Sequence, residues 1–350
     1  VATGSLAIIR ALGAILVLEF VSPTISSFFV WQLIISFLTS VIYAGMTYNF
    51  LPKSQRRGMF SIYEVKKVSK FAAGVIGTTL VALIFVQSDK LILSKYLTLS
   101  EYGNYMIASL VSGLIFVTVA PISQALYPKL CGLFSSDNKL EISRMYHFGA
   151  QSMTVVAGTA AIMLIVFSTP LVFTWTGNKQ ITTDVANLVS ILAVGNLFNA
   201  LNNMPLHTQL ANGWSSLAMK LNFFVIIFYI PALLMVVFEY GAIGAASLWA
   251  ITNLFYLPAS FELMARRILA QERLKWYVQD TLLPLACGLI MAFFCRSLFH
   301  FGENVLLNLT FLFLTSALVC AATLTGAGQL RGYIFNYLKL NGYTKIRFNR

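Results

Sequence analysis

Ten long apolar segments separated by short loops, with Lys and Arg confined almost entirely to every second loop, leave this 350-residue chain one kind of solution. A bilayer offers no water to satisfy backbone N–H and C=O groups, so such a chain crosses it as hydrogen-bonded helices packed into a bundle. The segments fall at residues 5–22, 24–48, 71–93, 104–127, 149–175, 184–207, 216–238, 242–264, 281–300 and 305–326. The expected class is all-α, a polytopic transmembrane helix bundle with about ten helices present.

Composition supports that class and limits what the charge can mean. Charged residues are 10% of the chain, against about 25% in a soluble domain. A net charge of +12 would point to nucleic acid in a soluble protein, but its distribution gives it another meaning. Of the 24 basic residues, all but Arg10, Lys90, Lys95, Lys179 and Arg296 belong to one set of alternating loops and the C-terminal tail. The positive-inside rule makes those loops and the C-terminus cytoplasmic. Topology thus accounts for the charge, and no nucleic-acid partner is expected. The C-terminal 329–350 mixes Tyr333, Phe335, Tyr337 and Leu338 with basic residues, a pattern suited to lying on anionic membrane lipids; a disordered end fits it equally.

The longest polar interruption, the basic stretch 51–70, separates two helical units, 1–50 and 71–328. The other loops are too short to carry a catalytic domain. The chain opens on Val1 with no initiator Met and runs directly into a segment whose start the charge rule places in the cytoplasm. A cleaved signal peptide would deliver that start to the other side, so further residues are expected upstream.

Soluble chemistry is poorly represented. There is no P-loop, and the Gly-rich string 326–332 follows a membrane segment with the wrong spacing for a dinucleotide fingerprint. Asn308-Leu309-Thr310 matches a glycosylation sequon inside an apolar segment, where no transferase reaches it. Cys131, Cys287, Cys295 and Cys320 lack metal-ligand spacing, and His147, His207 and His300 are scattered. No metal and no cofactor are expected. Pro121, Pro170, Pro205, Pro231, Pro258 and Pro284 lie in or beside apolar segments, where each removes a helix hydrogen bond and favours a kink.

Polar residues inside the segments carry the remaining information, since a charge at the helix centre costs about 2.5–3.5 kcal/mol on insertion scales. Glu19 and Glu262 lie near segment ends, where snorkelling to the interface explains them. Arg10 and Arg296 are two cations in an otherwise clean bundle, able to meet an anionic substrate. Asn196, Asn199, Asn203 and His207 recur at helical steps along one face. Amides there either join helices or line a cavity that binds sugar hydroxyls or water.

The string Ser88-Asp89-Lys90-Leu91-Ile92-Leu93-Ser94-Lys95-Tyr96-Leu97, followed by Glu101-Tyr102-Gly103-Asn104-Tyr105, resembles the polysaccharide-repeat flippases. These belong to the multidrug/oligosaccharidyl-lipid/polysaccharide exporter superfamily. Pro128-Lys129-Leu130, Leu210-Ala211-Asn212-Gly213 with Lys220 and Asn222, and Gly241-Ala242-Ile243-Gly244 are similar to further family stretches, in the same order.

The resemblance implies that Asp89 ends the seventh of fourteen helices in a two-lobed transporter. Residues 1–50 would then be the last two helices of an incomplete N-terminal lobe. It also implies an activity, moving a polyprenyl-diphosphate-linked oligosaccharide across the bacterial inner membrane for O-antigen or capsule synthesis, with a polysaccharide polymerase as a partner. Arg10 and Arg296 would meet the diphosphate, and Asn196, Asn199 and Asn203 the sugars. Asp89 would be the ion-coupling carboxylate. A drug antiporter of the same superfamily and a membrane enzyme of polysaccharide assembly are the alternatives.

Overall fold

The computed structural model describes residues 2–50, 61–299, 301–302 and 304–336. Among them the chain is helical, with no strand, and forms two compact units, Val1–Val68 and Ser69–Arg350. The basic stretch 51–60, His300 and the tail beyond residue 336 lie outside the described residues.

In the first unit, α1 (Ala2–Phe20) and α2 (Ile25–Phe50) are joined by a short turn and pack side by side. The Trp31 ring lies against Gly13, where a Cβ would sit inside it, and its indole N–H donates to the Arg10 carbonyl at 3.1 Å. Most large apolar side chains of this pair are exposed, as lipid-facing helices require.

The second unit begins within α3 (Ile62–Tyr96), a helix that starts inside the stretch expected to be linker. It continues through α4 (Leu99–Ser135), α5 (Lys139–Val166), α6 (Ser168–Thr176), α7 (Lys179–Leu201), α8 (Asn203–Ala211) and α9 (Ser216–Ile268). A single turn, α10 (Arg273–Lys275), runs through a π-helical turn (Trp276–Leu282) into α11 (Leu283–Leu298), and α12 (Val305–Gly326) is followed by a short helix over residues 328–336. Among the described residues, seven helical stretches are long and apolar enough to cross a membrane.

Side-chain caps mark the starts. Thr98 and Glu101 form a reciprocal capping box on α4, and Asn138, Asn178 and Asn304 each accept backbone N–H bonds at the heads of α5, α7 and α12. Helix α5 is buried around most of its circumference, against α4, α7, α11 and α12. It is the axis of the unit.

Three prolines explain where segments divide. A proline ring clashes with the carbonyl four residues back and offers that carbonyl no N–H. Pro170 stands four residues after Val166, where α5 ends, and Pro205 four after Leu201, where α7 ends. The expected segments 149–175 and 184–207 are therefore each a long helix plus a short one. Pro284 stands four residues after Asp280, within the π-helical turn.

Helix α9 has 53 residues, about 80 Å of helix against a hydrocarbon core of about 30 Å. It reverses at Gly241, whose φ of 55° and ψ of −134° are open only to glycine. Beyond the reversal, Gly244 comes so close to Val236 that an added Cβ would lie 2.6 Å from its carbonyl oxygen. The two halves correspond to the segments expected at 216–238 and 242–264.

Candidate functional site

The amide stripe divides into two parts with different duties. Asn196 is buried and fully engaged: its Nδ2 donates to Ser112 Oγ of α4 at 3.0 Å, and its Oδ1 accepts from Trp249 Nε1 of α9 at 2.9 Å. The indole reaches this amide because Gly195 has no side chain, a Cβ there falling 2.5 Å from the Trp249 ring. One turn on, Asn199 donates to Asn253 Oδ1 at 2.7 Å, and Asn253 donates to the Trp249 carbonyl. This is a relay of amides tying α4, α7 and α9.

Below the relay the polar side chains face open space. Asn199 and Asn202 line a cavity of about 340 Å³ with Asn222, Tyr256 and Phe85. Asn202 keeps a buried Oδ1 with no hydrogen-bond partner, while the Tyr256 hydroxyl donates to Asn222 at 2.8 Å. Asn203 and His207 line a second cavity of about 390 Å³ with Ser123, Gln124 and Tyr127. A sugar ring bonds well to such surfaces, amides and hydroxyls beside aromatic faces. Asn196, which the sequence groups with them, is taken up by packing.

Asp89 is buried near the end of α3. Its Oδ2 accepts from the Tyr105 hydroxyl of α4 at 2.5 Å, and its Oδ1 accepts from the Lys90 backbone N–H at 2.7 Å and faces Lys90 Nζ at 3.4 Å. The Tyr105 side chain is fully buried, whereas Lys90 remains partly exposed.

The two arginines occupy different surroundings. In the first unit, Arg10 donates to Ser36 Oγ at 3.3 Å. In the second, Arg296 Nη1 donates to the Val166 carbonyl, the group that Pro170 leaves without an i+4 donor. Arg296 also borders a cavity of about 710 Å³ with Lys179, Thr182, Thr183 and Phe301. A cation on the terminal carbonyls of a helix is a favourable anchor in itself.

A further cluster has no forerunner in the sequence reading. His147 on α5 is completely buried, and both of its ring nitrogens face carboxylates: Nδ1 meets Asp280 Oδ2 of the π-helical turn, and Nε2 meets Glu272 Oε2 at 3.1 Å. Gln151, one turn along α5, donates to Asp280 Oδ1 at 2.8 Å and accepts the Leu330 backbone N–H of the last helix at 2.9 Å. Glu272 in turn accepts from Ser143 Oγ at 2.9 Å and pairs with Lys275 at 3.4 Å. Burial raises the Glu272 carboxyl, but the Ser143 hydroxyl, Lys275 and His147 together outweigh it and hold it below the usual carboxylate range. The only warning in the sequence is a lone histidine near the start of an apolar segment and an aspartate just before another.

Among the described residues no group of His, Cys, Asp and Glu could hold a metal, and the four cysteines are unpaired.

The profile of the family described as "Polysaccharide biosynthesis protein" matches residues 6–183. A Shigella flexneri protein named "Putative O-antigen transporter" is 25% identical over 187 residues, which are 53% of this chain and 44% of that protein. Among solved structures, "Lipid II flippase MurJ, inward closed conformation" superposes with a TM-score of 0.61 at 17% identity, over 90% of this chain and 64% of that one. At that identity the likeness is one of fold. The chain spans less than half of the curated relative and under two thirds of the solved structure.

Proposed function

The chain belongs to the polysaccharide biosynthesis protein family, and from that premise we propose that it is part of a flippase for a polyprenyl-diphosphate-linked oligosaccharide. The product served is a surface polysaccharide, O-antigen or capsule, and the membrane is the bacterial inner membrane, with the basic loops and the C-terminus in the cytoplasm. The relatives are a transporter and a flippase by name, and a helical bundle with polar cavities under an apolar exterior suits the same task.

The observation that carries the reading is the run of amides along α7 and α8 that opens from a packed relay at Asn196 into two cavities lined by Asn199, Asn202 and Asn203. Amides beside aromatic rings suit sugar hydroxyls, whereas the lipid tail stays in the bilayer. Arg10 and Arg296 supply cations for the diphosphate. The Arg296 guanidinium does so from a helix end it already holds. Asp89 is the carboxylate that couples transport to an ion gradient, exchanging its proton against Tyr105 and Lys90. A polymerase takes the delivered repeat unit, and anionic lipids hold the basic tail.

The test is export in a flippase-deficient strain. Asp89→Asn keeps the size of the side chain and its capacity to accept from Tyr105 while removing charge and titration. Surface polysaccharide is expected to fall by at least about tenfold, at unchanged protein level in the membrane. Full complementation at normal abundance would remove Asp89 from the transport cycle.

A further inference from the structure

The cluster around His147 is not used by the function proposed above. The ring is completely buried and bridges two carboxylates of unequal access: Asp280 is completely buried, while the Glu272 side chain is 31% exposed at the start of α10. Both nitrogens face acceptor oxygens, so one N–H cannot satisfy both contacts unless a carboxyl carries the other proton. Three groups in a row thus hold two protons between them. An outer carboxyl, a bridging imidazole and an inner carboxyl are the parts of a relay.

The surroundings settle where charge can reside. From α5 itself, Ser143 bonds Glu272, and Tyr146 places a buried hydroxyl without a hydrogen-bond partner on a ring 5.8 Å from the imidazole. From α10 comes Lys275, on Glu272. The π-helical turn contributes Asp280 and Tyr277, and the Arg273–Glu262 pair closes the side towards α9 at 3.3 Å. Arg144 pairs with Glu141 on the outer surface of α5. On the last helix, Arg331 donates back to the Thr325 carbonyl of α12 and is thus engaged away from the cluster. The inner carboxylate has His147 and Gln151 for partners. Asp280 also sits on a π-helical turn, a local irregularity that often accompanies functional positions.

We propose that Glu272, His147 and Asp280 form a proton-uptake site on the side of the basic loops, in which a proton taken from water by Glu272 is passed through the imidazole to buried Asp280. The O–H bond at Glu272 breaks as the Nε2–H bond forms, giving an imidazolium between two carboxylates. The Nδ1–H bond then breaks as an O–H bond forms at Asp280 Oδ2. The proton count is conserved, the ring changes tautomer, and Glu272 is left ionised. Neutralising Asp280 weakens its charge-assisted bond from Gln151, whose other end holds the first turn of helix 328–336 at Leu330. The site does not depend on what the protein transports and is separate from Asp89.

The test needs no substrate. Purified protein in lipid nanodiscs is taken through a downward pH jump while infrared difference spectra follow the appearance of a protonated carboxyl. The wild type is expected to show it, and Asp280→Asn to lack it. Glu272→Gln, at a partly exposed position and expected to fold, should slow its appearance by about 100-fold, the low end of what a positioned acid–base group contributes. His147→Gln should slow it at least as much. Loading of Glu272→Gln at the wild-type rate would overturn the relay, even if Asp280→Asn failed to fold. So would a difference spectrum of folded Asp280→Asn that keeps every carboxyl band of the wild type.

Discussion

Asp89 and Asp280 are both buried carboxylates at the ends of apolar helices, yet their neutralisation differs. Asp280 is met by a fully buried imidazole and an amide, each drawn from α5, with no contact to solvent of its own. Asp89 has one buried phenol from α4, its next backbone N–H and an ammonium that stays partly exposed. Burying a charge is costly unless it is paired and hydrogen-bonded. Asp280 therefore ties elements together and fails badly if a partner is lost, whereas Asp89 has a partly exposed partner in Lys90 and depends less on any one contact. A family motif surrounds Asp89; packing alone creates the surroundings of Asp280.

The largest effect expected from this contrast comes from removing one partner of the inner pair. Asp280→Leu should leave His147 Nδ1 buried without its partner and cost about 3–5 kcal/mol. The double variant His147→Leu with Asp280→Leu should recover most of that loss, since an apolar pair of similar volume avoids burying charge. Thermal unfolding in detergent measures both. A double variant no better than the single one would mean that Asp280 acts through Gln151 and Leu330 rather than through His147.

Asp89→Asn is expected to show the opposite profile, a stability change under about 1 kcal/mol with the loss of export described above. An amide still accepts from Tyr105, and the ammonium of Lys90 reaches solvent. If this variant unfolds as readily as Asp280→Leu, the two sites are equivalent structural pairs and the contrast collapses.

What was visible in the sequence follows the same division. Segment positions and the helical class came from hydropathy, which depends on each residue's own chemistry. Helix ends follow a local rule that the expected segments ran through: prolines 170 and 205 divide two of them because each leaves the carbonyl four residues back without an N–H donor, and Gly241 sits at the reversal between two further segments. Asp89 was found because its neighbours in sequence form a motif. His147 and Asp280 lie far apart in the chain, so neither carries a local signal, and the scattered histidines looked inert. The duties of Asn196 and Arg296 were hidden for a similar reason. Their spacing and charge were plain, but Trp249 and the Val166 carbonyl, which occupy them, come from other helices.

Tyr105→Phe probes the weaker site from the other side of the contact. It removes the one side-chain hydroxyl that reaches Asp89 Oδ2 and leaves the backbone N–H and Lys90 in place. The expected cost is about 1–2 kcal/mol in unfolding free energy. Addition of Lys90→Gln should lower stability further by no more than about 1 kcal/mol, because that ammonium is partly exposed. A larger increment would show that the ion pair, rather than the phenol, holds the carboxylate.

The smallest effect is expected at the outer end of the inner cluster and is read through pH. The Glu272 carboxyl is held below the usual carboxylate range in the folded protein, against burial, by Ser143, Lys275 and His147. A depressed carboxylate favours the folded state above its unfolded value, about 4.3 for glutamate, and that contribution disappears as pH falls through the lower folded value. Glu272→Gln should therefore be less stable than the wild type at neutral pH, by well under about 1 kcal/mol for a group still in touch with solvent. The difference should shrink as the medium is acidified through the carboxylate range. Thermal unfolding of both proteins at matched pH and ionic strength is the measurement. A difference that grows on acidification would reverse the sign of the linkage, and the outer carboxylate would then oppose the ion pairs that the structure places around it.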